Sequence, residues 1–319
     1  MIHPQILGVA IVTYNSADVL PTLLDSLRDA LEPVPHAKVI VVDNQSADGS
    51  PALAERHVLA PNVLRMGRNA GYSAAINAAA RVLPPEADLL VLNPDVTIEA
   101  GAVLRMMRVL RASGVGAVVP ALIGDSGELS CSLRREPSLV TALGDALLGG
   151  TLAGSFGWGE MITAAEAYQA SRSVDWATGA ALLISAEARR RAGEWDEGYF
   201  LYSEETDYMR RIRESGLQIR FVPEATVRHR GGDSNVNPDL YALMVSNRVR
   251  YFRRWHGSAA AAALRAVLIL QETIRAGTGR THRRALRTLL GLRSPCAAFL
   301  LRPETATVHV LRTDGRNGS

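Results

Sequence analysis

Cysteine is nearly absent from this chain of 319 residues. Cys131 and Cys296 are too few for a disulfide framework or a thiolate zinc site, which suits a reducing compartment. Aromatic residues reach only 5%, leaving few rings for platforms that stack nucleic-acid bases. Lysine occurs once, as Lys38, so the abundance of arginine reflects a biased composition and by itself says little about guanidinium chemistry. No G-x-G-x-x-G opens the first helix and no G-x-x-x-x-G-K-[ST] occurs, which disfavours nicotinamide enzymes and P-loop NTPases. The most apolar stretch, Ser258–Gln271, has fourteen residues and is interrupted by Arg265, short of the roughly 20 that a helical bilayer span needs. Met1–Thr13 lacks a basic segment followed by an apolar one, so no signal peptide is expected.

What is present begins with an ordinary globular mixture, 47% hydrophobic and 21% charged, which excludes collagen-like and wholly disordered chains. The overall charge of +3 conceals a division. From Tyr241 to Ser319, fourteen arginines face Glu272, Glu304 and Asp314, a net of +11 that leaves −8 for the preceding residues. A basic tail of this kind is expected to meet an anionic surface.

Leu7–Thr13 and Lys38–Val42 are short, almost wholly apolar runs, as parallel strands covered on both faces require. Between them Leu20, Leu23, Leu24, Leu27 and Leu31 recur at helical spacing, with Asn15 or Ser16 available as a cap, completing a βαβ unit. Asp88–Leu92 predicts a further strand, followed by a helix over Ile98–Ala112 and a strand at Val115–Val119. Residues 149–170 break into glycine and small residues and read as a connection with room to move. Val174–Ser185 and Leu217–Pro223 restore strand patterns; after His229 the chain turns loop-like as far as Asp239 and is then helical to about Leu292. The fold expected is α/β, with a mostly parallel sheet flanked by helices.

Ligands of such sheets bind beyond the carboxyl ends of the strands. Here those ends are polar in succession: Thr13-Tyr14-Asn15, Asp43-Asn44 and Asn93-Pro94-Asp95. Without a glycine-rich phosphate loop, a divalent metal on an aspartate is the economical way to hold a diphosphate.

These strand ends, with the second half of the chain, resemble the inverting family 2 glycosyltransferases of GT-A fold, and in particular their bacterial rhamnosyltransferase-like branch. Seven segments carry the resemblance in order: VAIVTYNS from Val9, VVDNQSADGS from Val41, RNAGYSAAIN from Arg68, LNPDV from Leu92, WATGAALL from Trp176, WDEGYFLYSEETDYMRRIRESG from Trp195 and VRHRGGDS from Val227. The resemblance implies a catalytic unit over residues 1–235, with a nucleotide half (1–120) and an acceptor and catalytic half (171–235). A helical basic extension would follow over 236–319.

It implies further that Thr13, Tyr14, Asn15 and Asp43 hold the nucleoside, while Arg68, Asn69, Gly71, Asn93 and Asp95 serve the remainder of the donor. Asp95 stands where many relatives carry Asp-x-Asp, and His229 matches a metal-ligating histidine of some of them. Both are therefore candidate ligands of Mg²⁺ or Mn²⁺. In the acidic cluster Ser203–Asp207, relatives usually read Glu-Asp-x-Asp and use the second position as base. Glu205 fills it here, with Glu204 and Asp207 as alternatives and a serine-capped helix start as the purely structural reading. Trp176, Gly179, Asp196 and Glu204 would meet the acceptor.

The activity implied is transfer of a sugar, L-rhamnose in this branch, from a dTDP or UDP donor to a glycan or polyprenyl-linked saccharide. The enzyme would be cytoplasmic, with peripheral contact at the inner face of the plasma membrane through its basic helices and no nucleic-acid partner. A nucleotide-sugar-binding protein without turnover and a sugar-1-phosphate nucleotidyltransferase are the competing readings.

Overall fold

A computed structural model describes residues 6–231 and 237–292. Cys296, the end of the last matching segment (Gly232–Ser234) and the expected boundary at 235/236 lie outside the described residues.

All seven residues of β1 (Leu7–Thr13) are buried, as their apolar sequence demands. Their side chains alternate between two cores on opposite faces of one sheet. Ala10 and Val12 face one, with Ile76 and Met209; Leu7, Val9 and Ile11 face the other, with Leu23, Leu27 and Met106. β1 pairs in parallel with β2 (Ala37–Asp43) and, on its other side, with β4 (Asp88–Leu92). β3 (Asn62–Arg65) extends the β2 edge. Beyond β4 lies β10 (Ala181–Ile184), antiparallel, then β6 (Val115–Ile123) and β11 (Gln218–His229), which are mutually parallel. The outer edge of β11 takes β8 (Arg172–Val174) near its start and β5 (Val96–Ile98) at its end. A two-stranded ribbon, β7 (Leu133–Arg134) with β9 (Trp176–Ala177), completes the β-structure.

Helices α1 (Leu20–Leu31) and α4 (Ala102–Leu110) cover one face of the sheet. α3 (Tyr72–Arg81), α7 (Ala186–Ala192) and α8 (Glu204–Glu214) cover the other, and α2 (Ser50–Arg56) packs beside α1. Several local expectations change. Neither Asn15 nor Ser16 caps α1 through its side chain: Val19 holds the cap position, and the Ser16 carbonyl accepts from the Val19 and Leu20 N–H groups. Ile98 belongs to β5, so α4 starts only after Gly101 turns the chain at φ 75°. β3 and α3 are additions to the expected pattern.

The stretch read as a loose connection is folded. α5 (Leu139–Leu148) is followed by α6 (Gly150–Ser155) and a 3₁₀ turn at Ala165–Tyr168. Past residue 237 runs α9 (Pro238–Arg275), broken at Gly257, where φ is 81° and ψ 175°. α10 (Arg280–Leu289) returns along its second half. By length and composition α9 could cross a membrane. Its Tyr251, Phe252, Ala261, Leu264 and Leu268, however, join Ala142 of α5 and Leu289 of α10 in a third apolar core.

Candidate active site

The polar ends of β1 and β2 are fixed by strand register, which sets Thr13 opposite Asp43. The Thr13 hydroxyl donates to Asp43 Oδ1 (3.2 Å) and the Ser46 N–H to Oδ2 (3.0 Å), so this buried carboxylate is held in one orientation. Tyr14 and Asn15 form an exposed rim beside it, and Asn15 Oδ1 accepts from the Ala47 N–H (2.7 Å). Asp48 acts in the scaffold: its carboxylate accepts from the backbone N–H groups of Ala17 and Ser50 at the start of α2.

Arg68 and Asn69 lie in the turn from β3 to α3, where Asn69 Oδ1 accepts from the Gly71 N–H (3.2 Å). At Gly71 the backbone approaches protein closely: a Cβ there would stand 2.5 Å from the Phe200 carbonyl oxygen, at a φ of 90° that side chains avoid. Gly71 thereby presses the start of α3 against the loop leading into the acidic cluster, and the Tyr72 N–H donates to the same Phe200 carbonyl (2.8 Å).

At the end of β4, the Tyr72 hydroxyl donates to Asn93 Oδ1 (2.8 Å). Antiparallel pairing of β5 with β11 sets His229 opposite Val96, which brings His229 Nε2 to 3.3 Å from Asp95 Oδ2. Two donors sharing a cation at right angles, each ~2.1 Å away, would stand about 3 Å apart, so this pair fits one edge of a divalent-metal shell. No cluster of three His, Cys, Asp or Glu suited to a metal occurs among the described residues. A metal here would therefore draw its remaining ligands from water and the substrate's phosphates.

Asn93, Asp95 and His229 line a cavity of about 270 Å³ with Tyr72, Gly179, Glu204 and Glu205. Glu204 and Glu205 open α8. Ser203 precedes them at the cap position, but with left-handed backbone (φ 70°) and no capping bond from its hydroxyl, so the serine-capped reading of the cluster is corrected. Tyr202 is also left-handed (φ 71°), and the buried Asn247 amide of α9 donates to the Leu201 (2.8 Å) and Tyr202 (3.1 Å) carbonyls, holding both in place. Non-glycine residues in this region persist only where surrounding structure imposes them. Gly179 makes room for Glu205, whose Cβ would lie 3.3 Å from any Cβ at that position.

One oxygen of each glutamate, Oε2, is buried with no hydrogen-bond partner. Burial pushes Glu205 up to about 7, against the opposing pull of its own backbone N–H and the Arg134 charge. Burial, and then the Glu205 charge, push Glu204 well above the usual carboxylate range. Both carboxyls are thus held above the usual carboxylate range, and Glu205, near neutrality, is poised to gain or lose a proton. Burial and the neighbouring Glu204, Glu205 and Asp95 keep Tyr72 protonated. Asp207 is fully buried, paired with Arg211 (3.0 Å) and accepting from Trp255 Nε1 (2.9 Å), so its place is in the scaffold.

Glu205 also lines a second cavity, of about 410 Å³, on the far side of Thr178 and Tyr202. Its walls include Trp176, Arg134, Glu160, Arg248 and Arg275. Trp176 donates its indole N–H to the Arg135 carbonyl (2.9 Å) and leaves its ring beside the Arg134 guanidinium. Asp196, expected at the acceptor, lines neither cavity; Arg250 (3.3 Å) and Arg254 (2.7 Å) of α9 hold it outside. Tyr72, Tyr202, Arg134, Arg248 and Asn247 are parts of the site or its support that the sequence reading did not single out. Of these, Tyr72 and Tyr202 carried a local signal, since both stand inside matching segments, beside Gly71 and Ser203.

A mostly parallel sheet with its polar strand ends gathered on one side, and an acidic helix start facing them, is the arrangement of a GT-A-like fold. A model of the family "Glycosyl transferase family 2" matches residues 8–151. The chain is 28% identical, over 90% of its length and 99% of the relative's, to N-acetylglucosaminyl-diphospho-decaprenol L-rhamnosyltransferase of Mycobacterium tuberculosis. It is 23% identical to rhamnosyltransferase WbbL of Escherichia coli, over 67% of this chain and 80% of that one. Among solved structures, GalNAc-T7 with UDP, GalNAc and Mn²⁺ shares the fold at a TM-score of 0.59 and 15% identity, covering 88% of this chain and 54% of that one. These likenesses support a rhamnosyltransferase-like glycosyltransferase, with the family 2 match confined to the first half of the chain. The readings without turnover, or as a nucleotidyltransferase, give way to it.

Proposed function

We propose that this enzyme moves L-rhamnose from dTDP-rhamnose to a hydroxyl of a polyprenyl-linked saccharide, with inversion at the anomeric carbon. The observation that carries the reading is Glu205, whose unpartnered Oε2 belongs to a residue shared by both cavities. In this reading the donor diphosphate lies on the Asp95–His229 side and the acceptor lies between Trp176 and Arg134. The acceptor hydroxyl gives its proton to Glu205 Oε2 while its oxygen bonds to the anomeric carbon. The bond from that carbon to the diphosphate breaks, and the electron pair leaves with the diphosphate. Burial and the Glu205 charge favour the protonated form of Glu204 beside it. A divalent cation, Mg²⁺ or Mn²⁺, held by Asp95 and His229 would supply neutralising charge to the departing diphosphate.

Thr13 and Asp43 support recognition of the base, since a fixed carboxylate can accept from a pyrimidine N3–H. The M. tuberculosis relative, by its name, acts on a decaprenyl-diphosphate-linked sugar, which supports a lipid-linked acceptor and peripheral membrane contact here.

The test is transfer from dTDP-rhamnose and, in parallel, UDP-sugars to a short-chain polyprenyl diphosphate bearing N-acetylglucosamine, with the product's anomeric configuration read by NMR. An inverted rhamnoside is expected. Transfer from UDP-sugars alone would overturn the donor assignment. Asp95→Ala should abolish the metal-dependent part of nucleotide binding in calorimetry, and unchanged binding would remove Asp95 from the metal site.

A further inference from the structure

Between Leu139 and Trp158 the chain carries a single charged residue, Asp145, and it points inward: its Oδ2 accepts from the Glu160 N–H (3.5 Å). One face of α5, with Ala142 and Ala146, is buried. The other presents Val140, Leu143 and Leu147, and Leu152, Phe156 and Trp158 follow on and after α6. Val140, Leu147, Phe156 and Trp158 are each 62–67% exposed. An apolar helical hairpin with no exposed charge is more than the scattered leucines of an ordinary surface. The hairpin is tightly built, because a Cβ on Gly144 would stand 2.5 Å from the Trp158 carbonyl oxygen.

Its end is tied to a basic surface. The Arg275 guanidinium, at the end of α9, donates to the Asp145 carbonyl (2.8 Å), and Arg283 of α10 donates to the Ala276 carbonyl (2.9 Å). Arg280, Arg283 and Arg287 fall on one exposed face of α10 at spacings of three and four. Exposed Leu270 and Ile274 of α9 add apolar area beside Arg275. The one acid between Ser258 and Leu292, Glu272, is fully buried against Tyr241 and His282. Gly150, Gln271 and Arg275 also line the larger cavity that holds Glu205.

We infer that the α5–α6 hairpin and the arginine face of α10 together form the surface by which the enzyme sits on an anionic lipid bilayer. Leu147, Leu152, Phe156 and Trp158 enter the acyl region, while Arg280, Arg283 and Arg287 meet lipid phosphates. This relocates membrane contact from the basic helices alone to an apolar hairpin flanked by them. The use of the surface, bringing a lipid-linked acceptor to the cavity mouth at Gly150 and Arg275, rests on the proposed function. The surface itself does not.

The test compares the full chain with a Leu147→Ser/Phe156→Ser variant in co-sedimentation with phosphatidylglycerol-containing and pure phosphatidylcholine vesicles, alongside light scattering and thermal melts. The wild type should bind the anionic vesicles, more weakly at high salt, and the variant at least tenfold less well with an unchanged melt. Equal binding by both, or none by the wild type, overturns the inference. So does a wild-type dimer that the substitutions convert to monomer, since the patch would then belong to a second copy. If vesicle binding behaves as expected while neither protein transfers rhamnose to a short-chain soluble acceptor, the surface stands and the proposed function fails.

Discussion

Burial raises the proton affinity of both Glu204 and Glu205, and this has two measurable consequences. With Glu205 pushed up to about 7, the transfer rate should rise with pH as the carboxylate forms and level off above that value. A rate independent of pH between 5.5 and 8.5 would exclude Glu205 as a base. Glu204 acts on stability. Its folded-state pKa lies above the unfolded one, so the native state binds more protons than the unfolded chain, and stability falls as pH rises above the ordinary carboxylate range. Glu204→Gln removes that penalty, so its melting temperature relative to wild type should climb from pH 5 to pH 8. A constant difference would mean that Glu204 ionises normally. At this scale the sequence was legible where a residue's neighbours are set by strand register, as for Thr13 with Asp43 and Asp95 with His229. The setting of Asp196 was not legible, because its partners Arg250 and Arg254 come from a helix more than fifty residues later.

At the scale of elements, β1, β2 and β4 could be read directly, because strands buried on both faces need unbroken apolar runs. β3 (NVLR) has two exposed ends and β5 only three residues, so neither produces such a run. α3 was hidden in an alanine-rich segment quoted for its motif, although its Ala75, Ile76 and Ala79 face the core. Least legible was the support of α8 from α9, which runs through the Asn247 amide to the left-handed pair Tyr202–Ser203. Holding a non-glycine residue in that region costs of the order of 1–3 kcal/mol, so the pair should relax once the clamp is gone. Asn247→Ala should therefore lower kcat by about tenfold or more through misplacement of Glu205, while donor affinity stays unchanged. A loss of donor affinity with kcat intact would contradict the positioning role.

For the whole molecule, the division of charge in the sequence anticipated a basic end but not its integration into the site. Leu264, Gln271 and Arg275 of α9 line the larger cavity, and Ala261, Leu264 and Leu268 fill the third core. Truncation at Ser258 should therefore expose Ala142, Tyr251 and Phe252, lower the melting temperature and abolish acceptor use. A truncated chain that still glycosylates a soluble acceptor at the full rate would show the extension to be dispensable. The central claim concerns the intact enzyme: one carboxylate between the two cavities takes the acceptor's proton. Glu205→Gln preserves shape and hydrogen bonding but cannot accept that proton, and loss of a general base typically lowers the rate by ~10²–10⁴-fold. The decisive measurement is single-turnover transfer by Glu205→Gln, with donor affinity determined on the same protein. The account predicts transfer slowed by that factor with donor affinity within about twofold of wild type. Wild-type transfer by Glu205→Gln, with Glu204→Gln inactive, would contradict it.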